Sequence, residues 1–201
     1  MRAIPPSPPH AARWGLALAV AGVLLAASPS VASYYAPPKL VFLALGAAWA
    51  WACILRRPGA SFRPDTPLDL PLAALGLVLL LSTVASEDPA LSVIGSYSMH
   101  AYGLLPLGLC AALFYGTVCS EQGLQPAPAL RFCLWAGLAS ASYGLLQKAG
   151  VELVWGLPSA LAYGRITSLQ GNPTFLGSCL LMLLPVALHF VLDRKGSDRS
   201  L

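Results

Sequence analysis

Long apolar runs alternate along this chain with short stretches of proline, glycine and charge. The runs fall at about 14–32, 39–55, 68–85, 101–119, 131–147 and 174–192. Each approaches the roughly 20 residues a helix needs to cross a hydrocarbon layer about 30 Å thick. One such run would also suit a buried helix of a soluble domain. Six in series, joined only by short polar punctuation, leave no polar faces for a water-facing exterior. The pattern predicts an all-α integral membrane protein, a bundle of about six transmembrane helices. Residues 1–13, MRAIPPSPPHAAR, are proline-rich and basic and predict a disordered tail. Residues 193–201, DRKGSDRSL, predict a charged tail with no helical pattern. The first run ends in small residues around Ser28 to Ser33, which suits either an uncleaved helix or a signal peptide. The uncleaved helix is the expectation adopted.

Composition strengthens the membrane reading. The 201 residues are 57% apolar and 10% charged, against roughly 25% charged in soluble domains. The net charge of +4 is carried by scattered basic residues, with no strip of the kind that tracks a phosphate backbone, so nucleic acid is not an expected partner. The five cysteines show no metal or redox spacing and read as small apolar packing residues. No metal or cofactor is expected.

Basic loop residues are retained on the cytoplasmic side of a membrane. With the N-terminus inside, nine of the twelve lie there: Arg2, Arg13, Arg56, Arg57, Arg63, Arg131, Arg194, Lys195 and Arg199. Lys39, Lys148 and Arg165 lie on the outer side. Both termini are then cytoplasmic, and the segments 86–102 and 148–173 face outward. Trp14, Tyr34, Tyr35, Tyr97, Trp155 and Tyr163 fall near the expected interfaces, as an aromatic belt would.

Helices in lipid associate where small residues let backbones approach. Ala136, Ser140 and Gly144 recur at four-residue spacing in the fifth run, with Gly137 and Ala141 beside them, and predict that this helix is central. Pro106 and Pro185 lie inside the fourth and sixth runs and predict bends. An ion-coupled carrier needs ionisable groups at membrane depth. Asp69 and His189 lie near span ends, where solvation by the interface is the plainer reading, so a transporter is poorly supported.

Several fragments recur in a fixed order. Pro38-Lys39 enters the second run; LSTVASEDPALS covers Leu81 to Ser92; Gly95-Ser96-Tyr97 is followed by Tyr102-Gly103-Leu104-Leu105. Gly164-Arg165 precedes Gly171-Asn172-Pro173 and Phe175-Leu176, which run into a leucine-rich span with an internal proline. Together, across about residues 38–190, they resemble the O-antigen ligase and polymerase superfamily, whose corresponding segment reads G-R-x-x-G-x-x-G-N-P-N-F-L. Ser168 stands where that pattern has a glycine, Thr174 where it has an asparagine, and His100 where members often carry a nearby arginine.

The resemblance implies transfer of a glycan from a polyprenyl diphosphate carrier to an acceptor on the outer face of a bacterial inner membrane. Lipid and the lipid-linked glycan are then the expected partners. Arg165 is the leading candidate for binding the diphosphate, because a guanidinium stays charged and grips two oxygens at once; a loop arginine on lipid headgroups is the alternative. Lys148 offers a point charge to the same group, or is an ordinary interfacial lysine. Asn172 suits a sugar hydroxyl, or a turn and helix entry. His100 offers an imidazole with an ordinary pKa near roughly 6.5, or is uninvolved. No residue stands out as a general base, so no catalytic residue is assigned. Members of the superfamily are about twice this long, so the chain is expected to be an N-terminal half, completed by more chain or by a second membrane polypeptide. The competing reading is a non-enzymatic scaffold or partner subunit that docks through the Ser140 face.

Overall fold

The computed structural model describes residues 13–30, 34–56, 66–95, 103–120, 127–154 and 165–197. These form seven α-helices and one 3-10 turn, with no strand among them. The helices are α1 (Arg13–Leu25), α2 (Ala36–Leu55), α3 (Asp69–Val84), α4 (Pro89–Ile94), α5 (Leu104–Ser120), α6 (Ala127–Lys148) and α7 (Pro173–Ser197). The 3-10 turn, Ser168–Gln170, precedes α7. Each of the six apolar runs contains a helix, and α4 adds a short helix within the segment 86–102.

Three helices, α2, α6 and α7, are long and apolar enough to cross a membrane and mark this as a membrane protein. The other apolar helices are shorter. At about 1.5 Å per residue, the 13 residues of α1 rise about 20 Å and the 16 of α3 about 24 Å. The first run was expected to be helical to residue 32; its helix ends at Leu25. The tail expected to lack helical pattern continues α7 to Ser197, since Asp193, Arg194 and Lys195 are compatible with a helix that already has a nucleus, and Gly196 comes only at its end.

α1 lies at the centre, packing against α2, α5 and α6. Glycine brings α1 and α2 together. A side chain at Gly15 would meet the Gly46 carbonyl oxygen at 2.6 Å, and one at Gly22 would enter the ring of Phe42. Ala19, Ala47 and Ala50 fill the rest of this seam and are almost wholly buried. On the other side of α1, α6 presents Ala129, Cys133, Ala136, Ser140, Tyr143, Gly144 and Gln147, all buried and spaced by three or four residues. The predicted small-residue stripe is therefore part of this face, and it is covered from within the chain by α1, α7 and the 3-10 turn. Gly137 meets Leu183 of α7.

Hydrogen bonds and ring contacts fix the periphery. Trp51 Nε1 donates to the Ala112 carbonyl at 2.9 Å, tying α2 to α5. Asp69, at the start of α3, also has protein partners. Its carboxylate accepts from Thr66 N at 3.0 Å and Thr66 Oγ1 at 2.6 Å, closing the start of α3, and from Tyr115 OH of α5 at 3.2 Å. The Arg131 guanidinium lies 5.1 Å over the Phe190 ring, joining α6 to α7. α3 buries none of its residues. Pro106 falls in the first turn of α5, where the missing N–H has no intrahelical partner, so it costs that helix no bond and gives no reason for a bend. Pro185 lies within α7, which runs on through it.

Candidate functional site at the α6–α7 connection

α1 finishes, α2 begins, α6 finishes and α7 begins at one end of the bundle. There the last carbonyls of α1 have no intrahelical donor. Lys39, in the first turns of α2, donates through Nζ to Val23 O at 2.6 Å. Gln170, in the 3-10 turn, donates through Nε2 to Leu24 O at 2.8 Å and more weakly to Val23 O at 3.3 Å. Lysine and glutamine thus cap α1 from outside, and the ammonium also meets the negative end of its dipole. The two side chains bond each other, Lys39 Nζ to Gln170 Oε1 at 2.6 Å.

The opposite side of the 3-10 turn is held by α6. Ser168 N donates to Gln147 Oε1 at 2.8 Å, and Ser168 Oγ donates to the Ser140 carbonyl at 2.6 Å. The two serine hydroxyls lie 3.1 Å apart, so with the Ser168 proton committed, Ser140 Oγ donates to Ser168 Oγ. Ile166 and Ser168 pack over Gly144, whose missing side chain leaves them room. Ser140, Gln147, Ser168 and Gln170 are all buried, and every one has a hydrogen-bond partner, as buried polar groups require.

The backbone of this segment turns through the left-handed region twice, with φ 50° at Ser168 and 70° at Gly171. A side chain at position 171 would enter the Tyr35 ring. These are the second and third of the three positions that carry glycine in the G-R-x-x-G-x-x-G pattern. Position 168 here is a serine, the only non-glycine residue with positive φ among the described residues. Its conformation costs roughly 1–2 kcal/mol, against which three hydrogen bonds at Ser168 act. The Asn172 side chain accepts from Thr174 N at 2.8 Å, and its carbonyl receives Leu176 N at 3.1 Å, with Pro173 opening the helix. Asn172 thus stands at the entry of α7.

α6 ends in a left-handed turn. Gly150, at φ 84°, donates to Gln147 O at 3.0 Å, and Val151 N donates to Leu146 O at 3.0 Å. This closure folds Glu152 back, and its Oε2 accepts from Tyr143 OH at 3.0 Å and Gln147 Nε2 at 3.2 Å. Gln147 therefore bridges the Glu152 carboxylate and the Ser168 backbone. Burial raises the pKa of the Tyr35 phenol above its ordinary value, and Tyr143 and Glu152 add to the effect.

Arg165 stands exposed three residues before this anchored turn, and Lys148 is exposed at the last position of α6. Both predicted cations thus sit at the end where the polar network gathers. His100 lies outside the described residues. No group of three or more metal-ligating side chains occurs among the described residues. Lys39, Gln147, Glu152 and Gln170 were not singled out as site residues from sequence. The available signal was amide and carboxylate side chains at the borders of apolar runs, but their partners lie up to 147 residues away. The arrangement provides two exposed cations on a backbone held from two sides, which suits recognition of an anion. No family model, curated protein or solved structure matches the chain.

Proposed function

We propose that this protein crosses a bacterial inner membrane six times, with both termini in the cytoplasm. Its α6–α7 connection, on the outer face, binds the diphosphate of a polyprenyl-linked glycan during transfer to an acceptor sugar. The observation that carries the reading is the local structure of the Arg165–Leu176 segment. Positions 168 and 171, two of the pattern's three glycine positions, adopt positive φ, Asn172-Pro173 forms the entry to α7, and the built unit leaves Arg165 exposed beside it. A segment placed by a buried network presents its guanidinium with little ordering left to do, which favours tight binding of a diphosphate. In the transfer, the acceptor hydroxyl oxygen bonds to the anomeric carbon and gives up its proton to water as the carbon–oxygen bond to the diphosphate breaks. The electron pair leaves with the diphosphate, and Arg165 offsets the charge that develops there. Lys148 adds a second positive charge at the same end.

Arg165→Ala, expressed in place of the natural protein in its own cells, is expected to abolish surface glycan attachment while the abundance of the protein in the membrane is unchanged. Normal glycan display in that strain would overturn the reading. The scaffold alternative loses its proposed docking face, because the Ser140 stripe is filled by the chain itself.

A further inference from the structure

Lys39 is separated from the Arg165 turn by more than a hundred residues, yet one hydrogen bond joins it to the turn's last residue, Gln170. Among the described residues its oxygen partners are both neutral, a carbonyl and an amide. Burying an ammonium with neutral acceptors alone is costly, and a neutral donor would cap α1 more cheaply. The ammonium instead makes a charge-assisted bond to the Gln170 amide, which holds that side chain more firmly than a neutral donor would.

The geometry gives Lys39 its route of action. The 3-10 turn is clamped from the α6 side by Ser140 and Gln147, both of which act on Ser168. On the α1–α2 side the clamp is Lys39 and Gln170. Release of the second clamp leaves the first intact, so the turn would remain attached while its orientation is lost. We propose that Lys39 is a positioning residue for diphosphate binding: through Gln170 it fixes the turn that presents Arg165, without touching the ligand itself. This rests on the reading of Arg165 given above.

The test uses the full chain in lipid nanodiscs, with undecaprenyl diphosphate as the probe, and compares Arg165→Ala, Lys39→Met, Gln170→Leu and the double variant Lys39→Met/Arg165→Ala. Thermal unfolding of each variant reports folding separately. Lys39→Met and Gln170→Leu are each expected to weaken binding roughly ten- to a hundredfold, the scale of a lost hydrogen bond to a charged group. The double variant should bind no more weakly than Arg165→Ala alone, because a positioning residue has nothing to act on once Arg165 is gone. If Lys39→Met fails to fold, Gln170→Leu decides, since it removes the acceptor and leaves the charge. Wild-type affinity in Gln170→Leu and Lys39→Met, with binding lost in Arg165→Ala, overturns the inference and leaves the Arg165 reading standing. Additive losses in the double variant also overturn it, because Lys39 then acts independently. Wild-type affinity in Arg165→Ala overturns the underlying reading, and the inference with it.

Discussion

At Ser168 a non-glycine residue occupies a left-handed backbone conformation while its hydroxyl and amide are both engaged by α6. The two effects oppose each other at similar size. Glycine would relieve roughly 1–2 kcal/mol of backbone strain and lose hydroxyl bonds worth about 1 kcal/mol each. Ser168→Gly is therefore expected to change stability by less than about 1 kcal/mol. Ser168→Val combines a β-branched side chain at positive φ with loss of both hydroxyl bonds, and should cost more than about 2 kcal/mol. Unfolding of the two variants in detergent, followed by helical signal, separates them. Equal losses would mean that the left-handed turn does not govern this position. Sequence comparison with the family pattern marked position 168 as a departure; what it could not show was why a serine is tolerated there. That depends on Ser140 and Gln147, more than twenty residues earlier in the chain.

Among the elements, the helices were the most legible part of the fold, because apolar runs of this length have few other structures available in lipid. Their ends were less legible. α1 stops at Leu25 and is capped by Lys39 and Gln170, partners that lie in other elements. α4 was hidden in a polar segment, although its start follows a local rule, with the Asp88 side chain accepting from Leu91 N at 3.0 Å and Pro89 at the first helical position. The α6 stripe was readable from its spacing, whereas the tighter α1–α2 seam was not singled out. The two seams differ in what a new methyl group would meet. At Gly46 it would press on α1 backbone and Ala19, neither of which can rotate away; at Gly137 it would meet the tip of the Leu183 side chain. Gly46→Ala is thus expected to destabilise by about 2 kcal/mol or more, and Gly137→Ala by less than about 1 kcal/mol. Thermal midpoints of the purified variants check the order, and the reverse order would show that α1 and α2 are free to separate.

For the molecule as a whole, hydrophobicity orders the helices along the chain, and the placement of basic residues predicts the side on which each connection lies. They do not reveal that Lys39, Gln147 and Glu152 join a network around the α6–α7 connection, since no local pattern encodes contacts between distant segments. Arg165 and Lys148 were legible because exposed cations on the expected outer side stand out against nine on the other. Everything proposed for them depends on their lying at the outer face, where a six-crossing bundle with a cytoplasmic N-terminus puts them. Three crossings, by α2, α6 and α7 alone, would keep Arg165 and Arg131 on opposite sides but move the α3–α5 connection across. The deciding measurement is labelling of single cysteines by a membrane-impermeant maleimide in intact spheroplasts, in a chain whose five native cysteines are replaced. Glu87→Cys and Arg165→Cys are predicted to label from outside, and Arg131→Cys only after permeabilisation. Protection of Glu87→Cys until permeabilisation would contradict the six-crossing bundle, and protection of Arg165→Cys would contradict an outer-face site.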